Sequence, residues 1–357
     1  MYHTTQSLAP KVLVPAMKLR SLSLCHPGFV RSLSRRASTL AGEHRPQDVA
    51  YAIAHVRDHD PSGYLPGQLL PTDTMQTSYY AVRNFWIETG LRFGSTANVP
   101  LNATPADHLQ WWQEGIERLF DERDVQDTSD ALHHPALRLL RSVLEEDKVP
   151  WKKESFDAIL AGRRKDLDVK QYDTLDDLIH HAKQSCGHLN RLVLQSGRVD
   201  EKQNPQAYEA ARLVGICHGL TNALRTSIPV ISTTGKLIVP ADLTTKYGVK
   251  SPRYLLSALG QGDVKCVKAL QAAVQDIAEM ARDYLQQARS KRAAILAEPD
   301  HKRSLPVLLP GLASETFLDR LRDKHYQLTD RELRNVGLVE RGLCSGRMIL
   351  ALYQQMY

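Results

Sequence analysis

Nowhere in this chain do about 18 apolar residues run together, so no segment is expected to span a membrane as a helix. Cysteine is scarce and scattered. Cys25, Cys186, Cys217, Cys266 and Cys344 form no Cys-x-x-Cys pair, which leaves neither a zinc knuckle nor a disulfide framework and fits idle thiols in a reducing compartment. Acid is missing from residues 1–42, which hold Lys11, Lys18, Arg20, Arg31, Arg35 and Arg36; the first carboxylate is Glu43. Setting those cations aside from the 46 Lys and Arg leaves 40, matching the 40 Asp and Glu. The body is therefore near neutral, whereas a nucleic-acid face needs cations clustered within the folded domain. Strand-like alternation is almost absent, with Lys236-Leu-Ile-Val239, ended by Pro240, as the main candidate.

Residues 1–40, rich in Ser, Leu and Arg, have the composition of a mitochondrial transit peptide and lack the apolar core of a secretory signal. Phe29-Val-Arg31-Ser-Leu-Ser-Arg-Arg36 reads as its last amphipathic turn, with cleavage expected near 36–40. The plainer alternative is a basic tail.

Residues 45–357 read as one all-α domain. Val264, Val267, Leu270, Val274, Ile277, Ala281, Leu285 and Ala288 recur every three or four positions, the mark of a long helix with one apolar face. A helix over about 204–226 opens with Pro205 and is apolar around much of its circumference, as an enclosed helix would be. Thr174 and Asp177 predict a capping box for a helix over 174–196, each side chain serving the other's backbone. Further helices are expected at about 47–57, 72–93, 105–121, 134–147, 153–163, 313–324 and 331–355.

Several clusters invite chemistry and have a plainer explanation. Asp121, Glu122, Asp124, Asp127 and Asp130 read as a solvated acidic connection. His180, His181, Cys186 and His188 lack a second ligand pair at recognisable spacing, so core or surface histidines are expected. Thr234-Gly235-Lys236 is no phosphate loop, because Val230 replaces its first glycine and Leu237 its hydroxyl residue. Trp111 and Trp112 read as one boundary and one core aromatic. Met348-Ile-Leu-Ala-Leu-Tyr353 is expected to close the core, or else to touch a membrane surface.

Two blocks carry a family likeness. Ala81-Val-Arg-Asn-Phe85 runs on through Glu88 and Gly90 to Gly94, and Gly219-Leu-Thr-Asn-Ala-Leu-Arg225 runs into Thr226-Ser-Ile-Pro-Val230. They resemble the two diphosphate-binding helices of squalene and phytoene synthases, whose frames end in aspartate motifs. Weaker blocks keep the family's order: His108-Leu-Gln-Trp-Trp112, His134-Pro135, Lys165-Asp-Leu-Asp168 through Tyr172 to Asp177, and Gly235-Lys-Leu-Ile-Val-Pro240. The resemblance implies an isoprenoid-synthase-like helical fold. It also implies a vestigial pocket of Phe85, Glu88, Tyr172, Asn222, Arg225 and Lys236, the last replacing an arginine.

Prenyl coupling needs Mg²⁺, a hard cation that demands oxygen ligands, to hold the leaving diphosphate. Alignment on Phe85 puts Gly90, Leu91 and Gly94 at the first aspartate positions; alignment on Arg225 puts Thr226 and Val230 at the second. None supplies a carboxylate, and Pro229 is expected to break the second helix. No metal, cofactor or catalytic residue is therefore expected. The pocket either accepts an anionic or isoprenoid ligand, or Asn222 and Arg225 merely satisfy hydrogen bonds inside the fold. Glu88 is expected to pair with Arg92 one turn on.

Within the family the chain resembles degenerate mitochondrial members that serve the assembly of respiratory complex I. The likeness implies a non-catalytic factor in the matrix, a binding shell with protein partners such as a complex I subunit or assembly intermediate. An apolar peptide or lipid in the old prenyl groove and peripheral contact with the inner membrane also fit. The alternatives are a structural subunit or maturation factor of another mitochondrial assembly, such as the ribosome, and an active prenyl synthase.

Overall fold

A proline and a glycine bound the longest helix, Pro205–Thr234. Pro205 sits in the first turn, where its missing N–H is no loss, and Gly235, at φ 70°, ends the helix in the left-handed region that favours glycine. The computed structural model describes residues 45–90, 104–121, 134–249, 251–261, 263–334 and 338–357. Their helices, in chain order, are α1 (Arg45–His59), α2 (Pro61–Gln68), α3 (Asp73–Glu88), α4 (Pro105–Phe120), α5 (Pro135–Glu145), α6 (Lys153–Asp168) and α7 (Leu175–Ala182). A wide π turn, Lys183–Gly187, joins α7 to α8 (His188–Ser196). Then come α9 (Pro205–Thr234), α10 (Ala241–Tyr247), α11 (Pro252–Gln261), α12 (Val264–Ser290), α13 (Arg292–Leu296), α14 (His301–Leu308), α15 (Pro310–Asp323), α16 (Arg331–Arg334) and α17 (Leu338–Tyr353). All belong to one unit, Ala41–Tyr357, and the architecture is all-α.

α9 is the axis. It packs on α12, α15, α7, α8 and the π turn, and buries Ala207, Leu213, Val214, Ile216, Leu220 and Leu224 around its circumference. Glu298 closes its N-terminus, accepting from Gln206 N at 2.6 Å and Ala207 N at 3.0 Å, where amides have no helical partner and negative charge is favoured. Close approach to the π turn depends on glycine. A Cβ on Gly215 would lie 2.7 Å from Cys186 O and 2.7 Å from Gly187 Cα, and one on Gly219 would lie 2.6 Å from Ala182 Cβ.

The expected break at Pro229 does not occur: α9 continues to Thr234. Proline in a helix costs about 3 kcal/mol. Ile231, only 2% exposed, lies beyond it, and burying such a side chain returns roughly 1.5–3 kcal/mol, with the final turn's bonds in addition. Lys236–Val239 is not a strand. Leu237, Ile238 and Val239 are all buried, so the run does not alternate, and isolated bonds fix it: Leu237 N to Lys170 O at 3.0 Å and Gln171 Nε2 to Val239 O at 2.9 Å.

Other expectations need smaller changes. The helix expected over 72–93 ends at Glu88, the one over 153–163 runs to Asp168, and the one over 331–355 begins its main run at Leu338. The Thr174–Asp177 capping box is present, and Thr104–Asp107 forms another. Trp112 is fully buried and Trp111 half-buried, their rings edge to face at 5.1 Å. On α17, Met348 and Ala351 meet the core, but Ile349, Leu350 and Tyr353 do not.

Candidate functional site

α3 carries the first family frame and is buried almost all round, polar residues included. Thr72 caps it by accepting from Met75 N at 3.3 Å. Arg83, 1% exposed, donates to Asp60 Oδ2 at 2.8 Å and lies over the Tyr79 ring at 5.4 Å. Asp60 also accepts from Ser62 Oγ at 2.8 Å and Gly63 N at 3.0 Å. Burial opposes the Asp60 charge, but Arg83 and these donors hold its carboxyl below the usual carboxylate range. His218 of α9 shares this environment; burial keeps it neutral, and its Nδ1 lies 3.2 Å from Ser314 Oγ.

Glu88, the last residue of α3, turns toward α1. Its Oε1 accepts from the Tyr51 hydroxyl and lies 3.4 Å from His55 Nδ1, which also meets Asn84 Oδ1 at 2.7 Å. Burial, then the bond to Glu88, pushes the Tyr51 phenol above its ordinary value. Arg92, the expected partner, lies outside the described residues. Phe85 is a core residue, edge to face with Trp112 at 5.5 Å and Phe156 at 5.1 Å.

Of the first metal positions, Leu91 and Gly94 lie outside the described residues. Gly90 lies two residues past the end of α3, and a Cβ there would lie 2.7 Å from NH2 of Arg163. Arg163 projects from α6, sits over the Trp86 ring at 5.1 Å and donates to Trp86 O at 3.4 Å. On α9, the Thr226 hydroxyl donates to Asn222 O at 2.8 Å, and Val230 is half-buried. Arg225 is exposed; it donates to Asn222 Oδ1 at 3.1 Å and stacks on Phe317 at 4.9 Å.

Tyr172 and Lys236 converge on Asp166 of α6. The Tyr172 hydroxyl donates to Oδ1 at 2.5 Å, Lys236 Nζ lies 3.3 Å from Oδ1, and His181 Nε2 lies 3.3 Å from Oδ2. Burial, reinforced by Asp166, raises the Tyr172 phenol; burial lowers His181 although Asp166 opposes it. The knot balances its own charge and holds acid, base and phenol groups together. Asp166, His181 and Arg163 are not among the pocket residues that the family frames point to. Asp166 and Lys236 both lie in family-like blocks, which is the signal that comes nearest to finding them.

The six expected pocket residues thus fall into separate contact sets: Phe85 in the core, Glu88 on α1, Asn222 with Arg225, and Tyr172 with Lys236 on Asp166. The donors do not fit a Mg²⁺ cradle. α9 has no acidic side chain after Glu209, Gly90 faces a guanidinium, and Mg²⁺ takes carboxylate and phosphate oxygen. Among the described residues no group of three or more His, Cys, Asp or Glu could hold a metal ion. Of the remaining histidines, His188 meets Ser155 Oγ at 3.3 Å and His180 meets Gln184 at 3.4 Å, while Cys186 is buried. Most of the acidic run from Asp121 to Asp130 lies outside the described residues.

Known proteins share this architecture. A dehydrosqualene synthase solved with a ligand superposes with TM-score 0.65 at 20% identity, covering 87% of this chain and 99% of its own. The squalene synthase HpnC from Alicyclobacillus acidocaldarius superposes with TM-score 0.60 at 16% identity, covering 80% and 97%. The mouse (Mus musculus) protein "NADH dehydrogenase (ubiquinone) complex I, assembly factor 6" is 24% identical over 314 residues, which cover 88% of this chain and 84% of that one. Residues 56–339 match the squalene/phytoene synthase family model, and the chain belongs to that family.

Proposed function

We propose that this chain is a non-catalytic assembly factor for respiratory complex I, built on a prenyl-synthase fold that has lost its reaction centre. One observation carries the loss of chemistry: from Ala210 to Thr234 the central helix offers no carboxylate, so a diphosphate cannot be held there through Mg²⁺. The mouse assembly factor supports the direction in which such a shell has been reused. In this reading Gly90, Leu91, Gly94, Thr226 and Val230 are the former metal positions. On the same reading, a hydrophobic peptide helix or a lipid takes the place of the prenyl chains.

The protein works in the mitochondrial matrix, peripheral to the inner membrane, after removal of about the first 36–40 residues. The acid-free basic segment before Glu43 supports import. N-terminal sequencing of matrix protein checks this step; an intact Met1 refutes processing.

Deleting the gene tests the role. Blue-native gels are expected to show less assembled complex I and lower NADH-driven respiration, with complexes III and IV spared at first. Normal complex I beside a missing ribosomal subunit would favour a role in that assembly. Loss of a prenyl product would return the protein to the enzymes.

A further inference from the structure

α17 is amphipathic in an incomplete way. Met348 and Ala351 are 2% and 7% exposed, so one face is committed to the core. The opposite face carries Leu343, Ile349, Leu350 and Tyr353 at 65%, 50%, 54% and 88% exposure, and Met356 follows just past the helix at 41%. Positions 349 and 353 share one helical face, and 343 and 350, two turns apart, lie beside it. Single exposed apolar residues need no explanation, but four on adjoining faces of one helix, with Met356 just past its end, form a patch.

The charge beside this patch identifies its partner. Arg292 donates from Nε to Gln355 O at 2.8 Å and from NH2 to Gln354 O at 3.1 Å, so its guanidinium sits at the end of α17 bound only to neutral carbonyls among the described residues. Arg289 donates to Tyr357 O at 2.6 Å, and Arg289 and Arg347 share the single carboxylate of Glu315, at 2.6 and 2.9 Å. Three guanidiniums therefore gather where the exposed face ends, two of them sharing Glu315 and Arg292 meeting only carbonyl oxygen of Gln354 and Gln355 among the described residues. Apolar side chains with a tyrosine and flanking arginines are the composition of a helix lying in a membrane interface, where the aromatic and the cations reach the headgroups. Among the described residues no helix is long and apolar enough to cross a membrane.

We propose that the outer face of α17, with Arg292, Arg289 and Arg347 at its edge, docks this protein on an anionic lipid surface. The proposal deepens the peripheral-membrane part of the functional reading. It is tested on purified protein, so its failure leaves the assembly role standing, and normal complex I in a deletion strain leaves lipid docking standing.

The full chain is floated with vesicles of phosphatidylcholine alone and of phosphatidylcholine mixed with phosphatidylglycerol. The wild type is expected to float with the mixed vesicles. Leu350→Asn with Tyr353→Ser, both exposed, is expected to weaken binding roughly tenfold without shifting the melting midpoint. Arg292→Gln keeps a donor for the Gln355 carbonyl and is expected to weaken binding to the mixed vesicles about fivefold. Every variant retains the basic N-terminal segment, so these differences report α17. No flotation of the wild type, or flotation unchanged in both variants, overturns the proposal. A dimer in ultracentrifugation that the double variant dissolves, with no change in lipid binding, also overturns it and assigns the face to a second copy.

Discussion

Arg163 NH2 stands 2.7 Å from where a Cβ on Gly90 would begin. The guanidinium is the far end of a flexible side chain, so it can yield to a new side chain, and it would then pair with any carboxylate placed there.

Gly90→Asp is therefore expected to fold and to form an ion pair with Arg163 instead of a metal site. Its melting midpoint should not respond to millimolar Mg²⁺, and neither it nor the wild type should convert farnesyl or geranylgeranyl diphosphate. A Mg²⁺-dependent rise in the midpoint of the variant, or a squalene- or phytoene-type product from the wild type, would sink this account of the lost site.

Gly215 makes a sharper structural test. Its missing Cβ faces backbone, Cys186 O and Gly187 Cα, which cannot step aside as a side chain can. Gly215→Ala is expected to destabilise the fold by about 1–3 kcal/mol through overpacking of α9 against the π turn. A Cβ on Gly260, in α11, would meet nothing within 4 Å, so Gly260→Ala should stabilise by roughly 0.5–1 kcal/mol through lower chain entropy. Urea midpoints moving in the same direction for both variants would contradict the contact.

Much of the fold was legible because local patterns were long or chemically specific. The apolar stripe lies on α12 and is buried from Leu270 to Ala288, although Val264 at its start is exposed, and Thr174 with Asp177 marked the start of α7. Short helices escaped. α2 contains Gly63 and Pro66, and α14 contains Pro306, so neither offers enough turns for periodicity to outweigh its breakers. At the candidate site, the family resemblance singled out Tyr172, Asn222, Arg225 and Lys236, but not the contacts that they make. The pairing of Tyr172 and Lys236 through Asp166, and the placing of Arg163 beside Gly90, depend on how α6 crosses elements distant in sequence. No local pattern encodes that.

His134 links stability to pH. It caps α5 by accepting from Ala136 N at 3.2 Å, and it packs edge to face on Trp111 at 5.6 Å and Trp112 at 5.4 Å. Burial, with Arg138, His108 and His55 nearby, lowers it from the ordinary 6.5 to about 4. The folded state thus keeps it neutral while the unfolded chain takes up a proton first. The sign follows: its contribution is full above about pH 6.5, falls as pH drops toward 4, and changes no further below that. The difference is worth about 3 kcal/mol. Buried His218 acts with the same sign, whereas Asp60, held low, loses its contribution only below the ordinary carboxylate range. His134→Asn preserves a capping acceptor and removes the titration. It should cost stability at pH 7 through lost ring packing, yet lose about 2–3 kcal/mol less than the wild type between pH 7 and 4.5. Urea denaturation at the two pH values measures both quantities. Equal losses in wild type and variant would show that His134 titrates normally in the folded protein.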